Sequence, residues 1–380
     1  MVTPTRVRAD SVLERTKLEP RPYQRRIMQK ALDWFHGEYR DRSGDLKPAA
    51  RSVMIESPTG SGKTPTALVI LKALQEETNY KIAWFAMRRE LLIQAARENR
   101  EKEINADINF VSMFSSVLPE ADIVVIDEAQ HDSANTMAHV HNVIKPKMIL
   151  GMTATPFRCD RVKLVFDAKI SDCGIKALIQ DGWLSPYHHF SIPKWTPESV
   201  TDTYLREPER FGKSIVFFHR TEHCLEAQTR LQKAGVKCDV VTGNSDREAQ
   251  LSAFNAGETD VLLNCMVLTE GFDCPDLKTV FCRDSAKGPT MQMCGRVFRK
   301  HASLPFKQIV QSGRTHWPFL RTALPEMQFL WQENEWRSLK VNPLLERMST
   351  NSISAIANAV VEVPKYIAER VKKKRNVWRG

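Results

Sequence analysis

From about residue 52 the chain alternates short apolar runs with longer amphipathic stretches. SVMIES (52–57), KIAWFA (81–86), DINFVS (107–112), DIVVID (122–127) and KMILGM (147–152) have strand length and are rich in β-branched residues. Between them RRELLIQAARENREKE carries apolar residues at helical spacing, and the stretch after Gly62 also reads as a helix. Strands that are apolar nearly throughout, with helices between them, predict a parallel sheet covered on both faces. The rhythm restarts at KSIVFF (213–218) and runs on through KCDVVT (237–242), DVLLNC (260–265), KTVFC (278–282) and FKQIVQ (306–311). The expectation is an α/β chain of two domains of similar size, with no detectable repeat between them. Residues 156–210 join the two, and there a Gly-Trp-Leu-Ser-Pro turn and later prolines break regular structure. Beyond 312 the pattern turns Trp-rich and is read as helical, ending in the basic run KYIAERVKKKRNVWRG.

Composition narrows the class. The 380 residues exceed one ordinary domain of ~100–200 residues. An apolar fraction of 42% supplies more than one core and excludes a mainly disordered or collagen-like chain. No apolar run approaches the ~18–20 residues that span a bilayer, and the start MVTPTRVRADSVLER lacks an apolar leader core. The eight cysteines include no Cys-x-x-Cys pair, so they are expected as reduced, mostly buried thiols of a cytoplasmic protein. A formal charge of +10 favours polyanionic partners, nucleic acid foremost.

The first strand runs directly into SPTGSGKT (57–64), followed by a helix. Pro58, Thr59, Gly60, Ser61 and Gly62 read as a phosphate-binding loop, whose glycines let backbone N–H groups curl toward an anion at a helix N-terminus. Lys63 would neutralise the β- and γ-phosphates, and the Thr64 hydroxyl would ligate Mg²⁺. DIVVIDEAQH ends a second strand in Asp127 and Glu128, at the edge where parallel sheets bind ligands. Asp127 can hold Mg²⁺ through water, and Glu128 can orient and deprotonate an attacking water. Arg296 and Arg299 follow in QMCGRVFR; they read either as surface arginines or as charges that complete a phosphoryl-transfer site. His188 and His189 have no ligand partner at a recognisable spacing and are expected in a solvated turn.

Taken in order, these segments make the sequence resemble the superfamily 2 helicases, the DExD/H-box ATPases, over roughly residues 18–312. EPRPYQ (19–24) is similar to the family's adenine-reading segment; the resemblance gives Gln24 the adenine edge and lets Arg21 or Tyr23 pack on the base. SPTGSGKT stands as motif I, with Ser57 where the strict loop has Gly. FAMRREL (85–91) falls at motif Ia, which implies a backbone contact for Arg88, although a plain helix start fits Arg88 and Arg89 equally. DEAQ (127–130) is motif II, where the subgroup nearest in pattern carries His in place of Gln130; Gln can still donate to a γ-phosphate. GMTATP (151–156) is motif III, which implies that Thr153 and Thr155 couple the site to the track. IVFFHRTEHC (215–224) matches motif IV, and LTEGFDCPD (268–276) motif V, implying phosphate contact for Thr269 and a ribose or coupling role for Asp273. QMCGRVFR (292–299) is motif VI, which directs Gln292, Arg296 and Arg299 at the γ-phosphate from the second domain.

The resemblance implies two tandem RecA-like domains, 1–155 and 211–312, joined by 156–210 and followed by a helical extension and basic tail, 313–380. It implies ATP and Mg²⁺ as ligands and nucleic acid as the track. DNA is favoured over RNA because ALIQDGWLSP (177–186) between the halves looks like DNA-repair and phage-type helicases. An RNA helicase, a motor subunit serving a nuclease on another chain, and an ATP-gated clamp without unwinding stay open as alternatives.

Overall fold

A computed structural model of the chain describes residues 6–131, 134–154, 165–265, 268 and 274–339. Thr155, Thr269, Asp273 and the basic tail lie outside the described residues. The first sheet is built from β1 (Ser52–Glu56), β2 (Ile82–Ala86), β3 (Ile108–Ser112), β4 (Ile123–Ile126), β5 (Met148–Thr153) and β6 (Ala168–Ser171). Their order is β3-β2-β4-β5-β1-β6, and every pairing is parallel. The second sheet contains β7 (Tyr187–Ile192), β8 (Ser214–Phe217), β9 (Cys238–Val241), β10 (Val261–Asn264), β11 (Thr279–Cys282) and β12 (Lys307–Ser312). These run β7-β12-β11-β8-β10-β9, again all parallel. Helices cover both faces, so the interior strands β2, β4, β8, β10 and β11 are buried at every residue. That is why they read in sequence as unbroken apolar runs. Both RecA-like sheets fall within one compact unit, Met1–Glu326.

Three expectations change. The connector is part of the sheets: β6 pairs with β1 on the edge of the first, and β7 pairs with β12 in the second. β6 alternates buried and exposed residues, a short edge pattern that offers no apolar run to read. β7 is hidden by its polar residues. His188 and His189 lie inside it, not in a solvated turn. His189 is buried with its Nε2 3.1 Å from Gln311 Oε1, and burial pushes its pKa down to about 4. His188 stacks on Phe306 at 3.9 Å between ring centroids. Last, the described part of the extension is not helical. Phe319–Arg321 is a single 3₁₀ turn, and Met327–Gln332 and Glu335–Ser338 are β13 and β14 of an antiparallel hairpin. Glu333 and Asn334 both take positive φ, the signature of a two-residue hairpin loop, and Trp331 faces Trp336 edge-on at 5.0 Å. The hairpin opens the second compact unit, Met327–Gly380. The seven described cysteines are free thiols, all buried or half-buried.

The helix Pro22–His36 begins with proline, whose missing N–H costs nothing in a first turn. It packs on the helix Lys63–Thr78 and against β1 and β6. Asp172, just past β6, clamps it: Asp172 Oδ1 accepts from Arg26 and Oδ2 from Lys30 at 2.6 Å. Burial alone would raise the Asp172 pKa, but the hydrogen bonds and charges of Arg26 and Lys30 outweigh it and hold the carboxyl below its ordinary value. A depressed folded-state pKa stabilises above the unfolded pKa, and that stability is lost as pH falls through the folded value. Asp172→Asn should therefore cost about 1–3 kcal/mol near neutral pH, and the gap to wild type should close in acid. Urea melts at neutral and acid pH check this; a gap unchanged by pH contradicts the clamp.

Candidate functional site

The loop after β1 keeps its pairing for one residue more, with Ser57 N donating to Thr153 O at 3.0 Å, and then turns. Gly60 and Gly62 adopt φ of 79° and 75°, which only glycine takes without strain. Gly62 caps the helix Lys63–Thr78, so the N–H groups of its first turn point into the loop. Pro65 sits in that turn, where no donor is needed. Ser57 Oγ donates to Ser61 Oγ at 2.8 Å, and Lys63 Nζ donates to Ser57 O and Pro58 O at 3.2 and 3.4 Å.

The residues expected to read a base also brace this loop. Tyr23 Oη donates to Ser61 O at 2.6 Å. Gln24 Nε2 donates to Ser61 O and Gly62 O at 3.0 and 3.2 Å, while its Oε1 accepts from Arg21 N at 2.8 Å. Both side chains are buried, and both ends of the Gln24 amide are engaged. Arg21 reaches further: its Nη1 donates to Tyr23 Oη and Gly60 O, and its guanidinium lies 5.2 Å from the centre of the Trp183 ring. Trp183 was not singled out in the sequence. Its signal is the Gly-Trp-Leu-Ser-Pro turn, where Gly182 at φ 71° follows the end of the helix Ile175–Gln180.

Asp127 and Glu128 follow β4 at the same sheet edge. Asp127 is 5% exposed, and burial, then the Glu128 charge, push its pKa upward against the pull of Lys63. Glu128 takes a positive φ of 52°, uncommon for a side chain of this kind and characteristic of functional turns. Gln130 does not line the cleft described below. Its Nε2 donates to Glu128 Oε2 at 2.9 Å, and its Oε1 accepts from the buried Thr153 hydroxyl at 2.5 Å. Gln130 and Thr153 thus form a rigid link between the ends of β4 and β5.

The second sheet contributes from the opposite side. Its helix Lys287–Gly295 ends against the loop: a Cβ on Gly295 would lie 3.4 Å from both Cβ and Oγ1 of Thr59. A Cβ on Gly60 would lie 3.3 Å from Leu184 and 3.8 Å from Arg299 Cγ. Ser185 N donates to Phe298 O at 2.9 Å and Lys300 Nζ to Gly182 O at 2.8 Å, so the Trp183–Leu184 turn and the arginine segment are tied together. The result is a cleft of about 690 Å³. From the first sheet it is lined by Arg21, Thr59, Gly60, Gly62, Lys63, Thr64, Asp127 and Glu128. Trp183, Leu184, Pro275, Arg296, Arg299 and Lys300 line the other side. Gln292 is half-buried on the helix and Arg88 half-buried at a helix start, and neither lines this cleft.

The donor set suits Mg²⁺. A buried carboxylate beside a second carboxylate and a threonine hydroxyl is a hard-oxygen site whose excess negative charge a divalent cation would relieve. Among the described residues no cluster of three or more His, Cys, Asp or Glu could cage an ion.

Two parallel RecA-like sheets facing each other across a phosphate-loop cleft define the class of tandem RecA-like nucleotide motors. Comparison with known proteins agrees. Residues 17–117 and 114–158 match the family described as Type III restriction enzyme, res subunit, and residues 196–301 match the Helicase conserved C-terminal domain. The chain belongs to the superfamily 2 helicases. A 51.5 kDa protein of a Lactococcus phage (isolate 7-9) is 28% identical over 268 residues, 60% of this chain and 58% of that one. The chain spans a little over half the length of this and other curated relatives it matches. Among solved structures, the ATP-dependent Type ISP restriction-modification enzyme LlaBIII bound to DNA aligns with a TM-score of 0.54 and 16% identity, over 77% of this chain and 27% of that one. Saccharomyces cerevisiae Dbp5 bound to RNA and ADP BeF₃ aligns with a TM-score of 0.54 and 15% identity, over 81% and 89%.

The brace on the loop is testable by itself. A Cβ on Gly62 would fall 2.4 Å from Gln24 Nε2, and φ there is positive. Gly62→Ala should cost about 1–3 kcal/mol. Gln24→Ala in the same chain relieves the collision, so the two costs should fall short of additivity by at least about 0.5 kcal/mol. Strictly additive costs in a double-mutant cycle would contradict the contact.

Proposed function

We propose that this chain is an ATP-dependent nucleic-acid motor that couples ATP hydrolysis to movement along, or unwinding of, DNA. The observation that carries the reading is the single cleft shared by Lys63, Asp127 and Glu128 from one sheet and Arg296 and Arg299 from the other. Phosphoryl transfer spreads negative charge over the transferred group, and catalysis is mainly positioning and charge stabilisation. Lys63 and the first-turn N–H groups would hold the β- and γ-phosphates. Thr64 and Asp127 would hold Mg²⁺, which would supply positive charge against the charge that develops on the phosphates. Glu128 would orient the attacking water and take its proton, kept in place by the Gln130 amide. Arg296 and Arg299 would meet charge that develops on the γ-phosphate. Thr153 would carry the state of Glu128 toward motif III and Thr155. Arg21, backed by Trp183, or Tyr23 would pack on the base and Gln24 would meet the adenine edge, in addition to bracing the loop. Gln292, Asp273, Thr269 and Arg88 keep the roles the family resemblance gives them.

Because the two sets of charges sit on different sheets, nucleotide turnover would open and close the cleft. A track gripped through phosphates would be stepped along without reading its sequence. The net charge of +10 supports a polyanionic track. The preference for DNA rests on the resemblance around ALIQDGWLSP. A second reading, a motor working with a nuclease or methyltransferase on another chain, is favoured by the match to the res-subunit family. Co-purification with such a partner would support it. No helix among the described residues is long and apolar enough to cross a membrane, and a cytoplasmic site of action is part of the same proposal.

Lys63→Ala should abolish ATP hydrolysis, and Glu128→Gln should bind ATP yet turn it over at least ~10²-fold more slowly. Hydrolysis should be stimulated by single-stranded, duplex or forked DNA more than by RNA. Normal turnover in both variants would overturn the site assignment, and stimulation by RNA alone would overturn the DNA reading.

A further inference from the structure

The second sheet buries one charge that the scheme above leaves without work. Lys307 opens β12, the strand between β7 and β11, and its side chain is wholly buried. Burial pushes its pKa down to about 8, a strain on the ammonium that an apolar residue at the same position would not bear. The ammonium serves one short segment. Its Nζ donates to Pro275 O and to Leu277 O, each at 2.6 Å. Between those carbonyls Asp276 is held by a second lysine, with Lys213 Nζ 2.7 Å from its Oδ2, and Cys274 Sγ donates to its Oδ1 at 3.0 Å. Leu277 N closes the turn on Cys274 O at 3.1 Å. The turn Cys274–Leu277 is thus tied to the first residue of β12 and to the residue just before β8. Pro275 is exposed on this turn and lines the same cleft as Arg296 and Arg299.

We propose that Lys307 is a positioning residue for the nucleotide cleft: it fixes the turn Cys274–Leu277 and, through it, the part of the wall that Pro275 forms. The inference rests on the nucleotide site proposed above. A turn that belongs to no strand or helix keeps its shape only while its buried backbone groups are satisfied. Two carbonyls that share one ammonium are held more firmly than by neutral donors, because charge-assisted hydrogen bonds are the stronger kind. Lys307 itself is not among the residues that line the cleft, so it acts through the backbone of the turn. The turn also follows directly on Asp273, to which the family resemblance gives a ribose or coupling role, and slack in it would reach that residue as well.

Lys307→Met keeps most of the side chain's length and removes the donor. It should raise the ATP KM by about three- to tenfold while kcat at saturating ATP and DNA stays within about twofold, the pattern of binding lost equally from ground state and transition state. Lys307→Gln keeps a neutral donor on a shorter arm and should fall between wild type and Lys307→Met. Pro275→Gly loosens the exposed turn directly and should raise KM by a similar factor. In the double variant the two factors should fall short of multiplying, because both act through one turn. Melting curves of each variant, and binding of a fluorescent ATP analogue to each, separate these effects from misfolding. An unchanged KM in Lys307→Met, even with a lowered melting temperature, overturns the proposal and leaves Lys307 a support of the fold alone. Factors that multiply fully in the double variant overturn it too. Should Lys307→Met fail to fold, an unchanged KM in Pro275→Gly does so. Failure of the nucleotide site itself looks different: wild type would then neither bind the analogue nor lose binding on Lys63→Ala.

Discussion

The structure depends on one constraint: the charge of a triphosphate in transfer must be compensated from two sides at once. The phosphate loop, Asp127 and Glu128 lie on one sheet, and Arg296 and Arg299 follow a helix of the other. Small residues let the two sheets meet. Gly295 fits against Thr59, and Gly60 fits under Leu184 and Arg299, with spacings that leave no room for larger side chains without movement. On the proposed reading, closing the cleft would complete its charge set, which is the condition for turning hydrolysis into motion.

The segment between the sheets is part of that event. The turn at Gly182–Ser185 is tied to the arginine segment through Phe298 and Lys300, and its Trp183 and Leu184 contact Arg21 and Gly60 of the first sheet. Arg21 in turn belongs to the Tyr23–Gln24 brace beneath the phosphate loop. A base packed against this Arg21–Trp183 pair would be felt on both sheets.

Much of this is legible in the sequence, and for physical reasons. Interior parallel strands are apolar on both faces, so β1, β2, β4, β8 and β10 announce themselves. SPTGSGKT, DEAQ and QMCGRVFR show because phosphate chemistry restricts which residues can stand there. What stays hidden is satisfied locally. β7 carries a half-buried His188 and buries His189 and Ser191, accommodating them by pairing and by the Gln311 contact, so it does not look like a strand. The Trp331–Trp336 hairpin depends on a Glu-Asn turn that apolar periodicity does not register. That the Gln24 amide also meets the loop carbonyls is a three-dimensional fact. Lys307 looks like any surface lysine until the fold buries its ammonium against two carbonyls.

The central claim, that one catalytic site is assembled from both sheets, is tested most directly by separating binding from chemistry in Arg299→Ala, with Arg296→Ala beside it. ATP affinity and the single-turnover hydrolysis rate would be measured on the same proteins with saturating DNA. The account predicts a rate loss of roughly 10³-fold or more for an arginine that meets transition-state charge, with affinity changed only a few-fold. A loss confined to affinity, or hydrolysis at the wild-type rate in both variants, would contradict it.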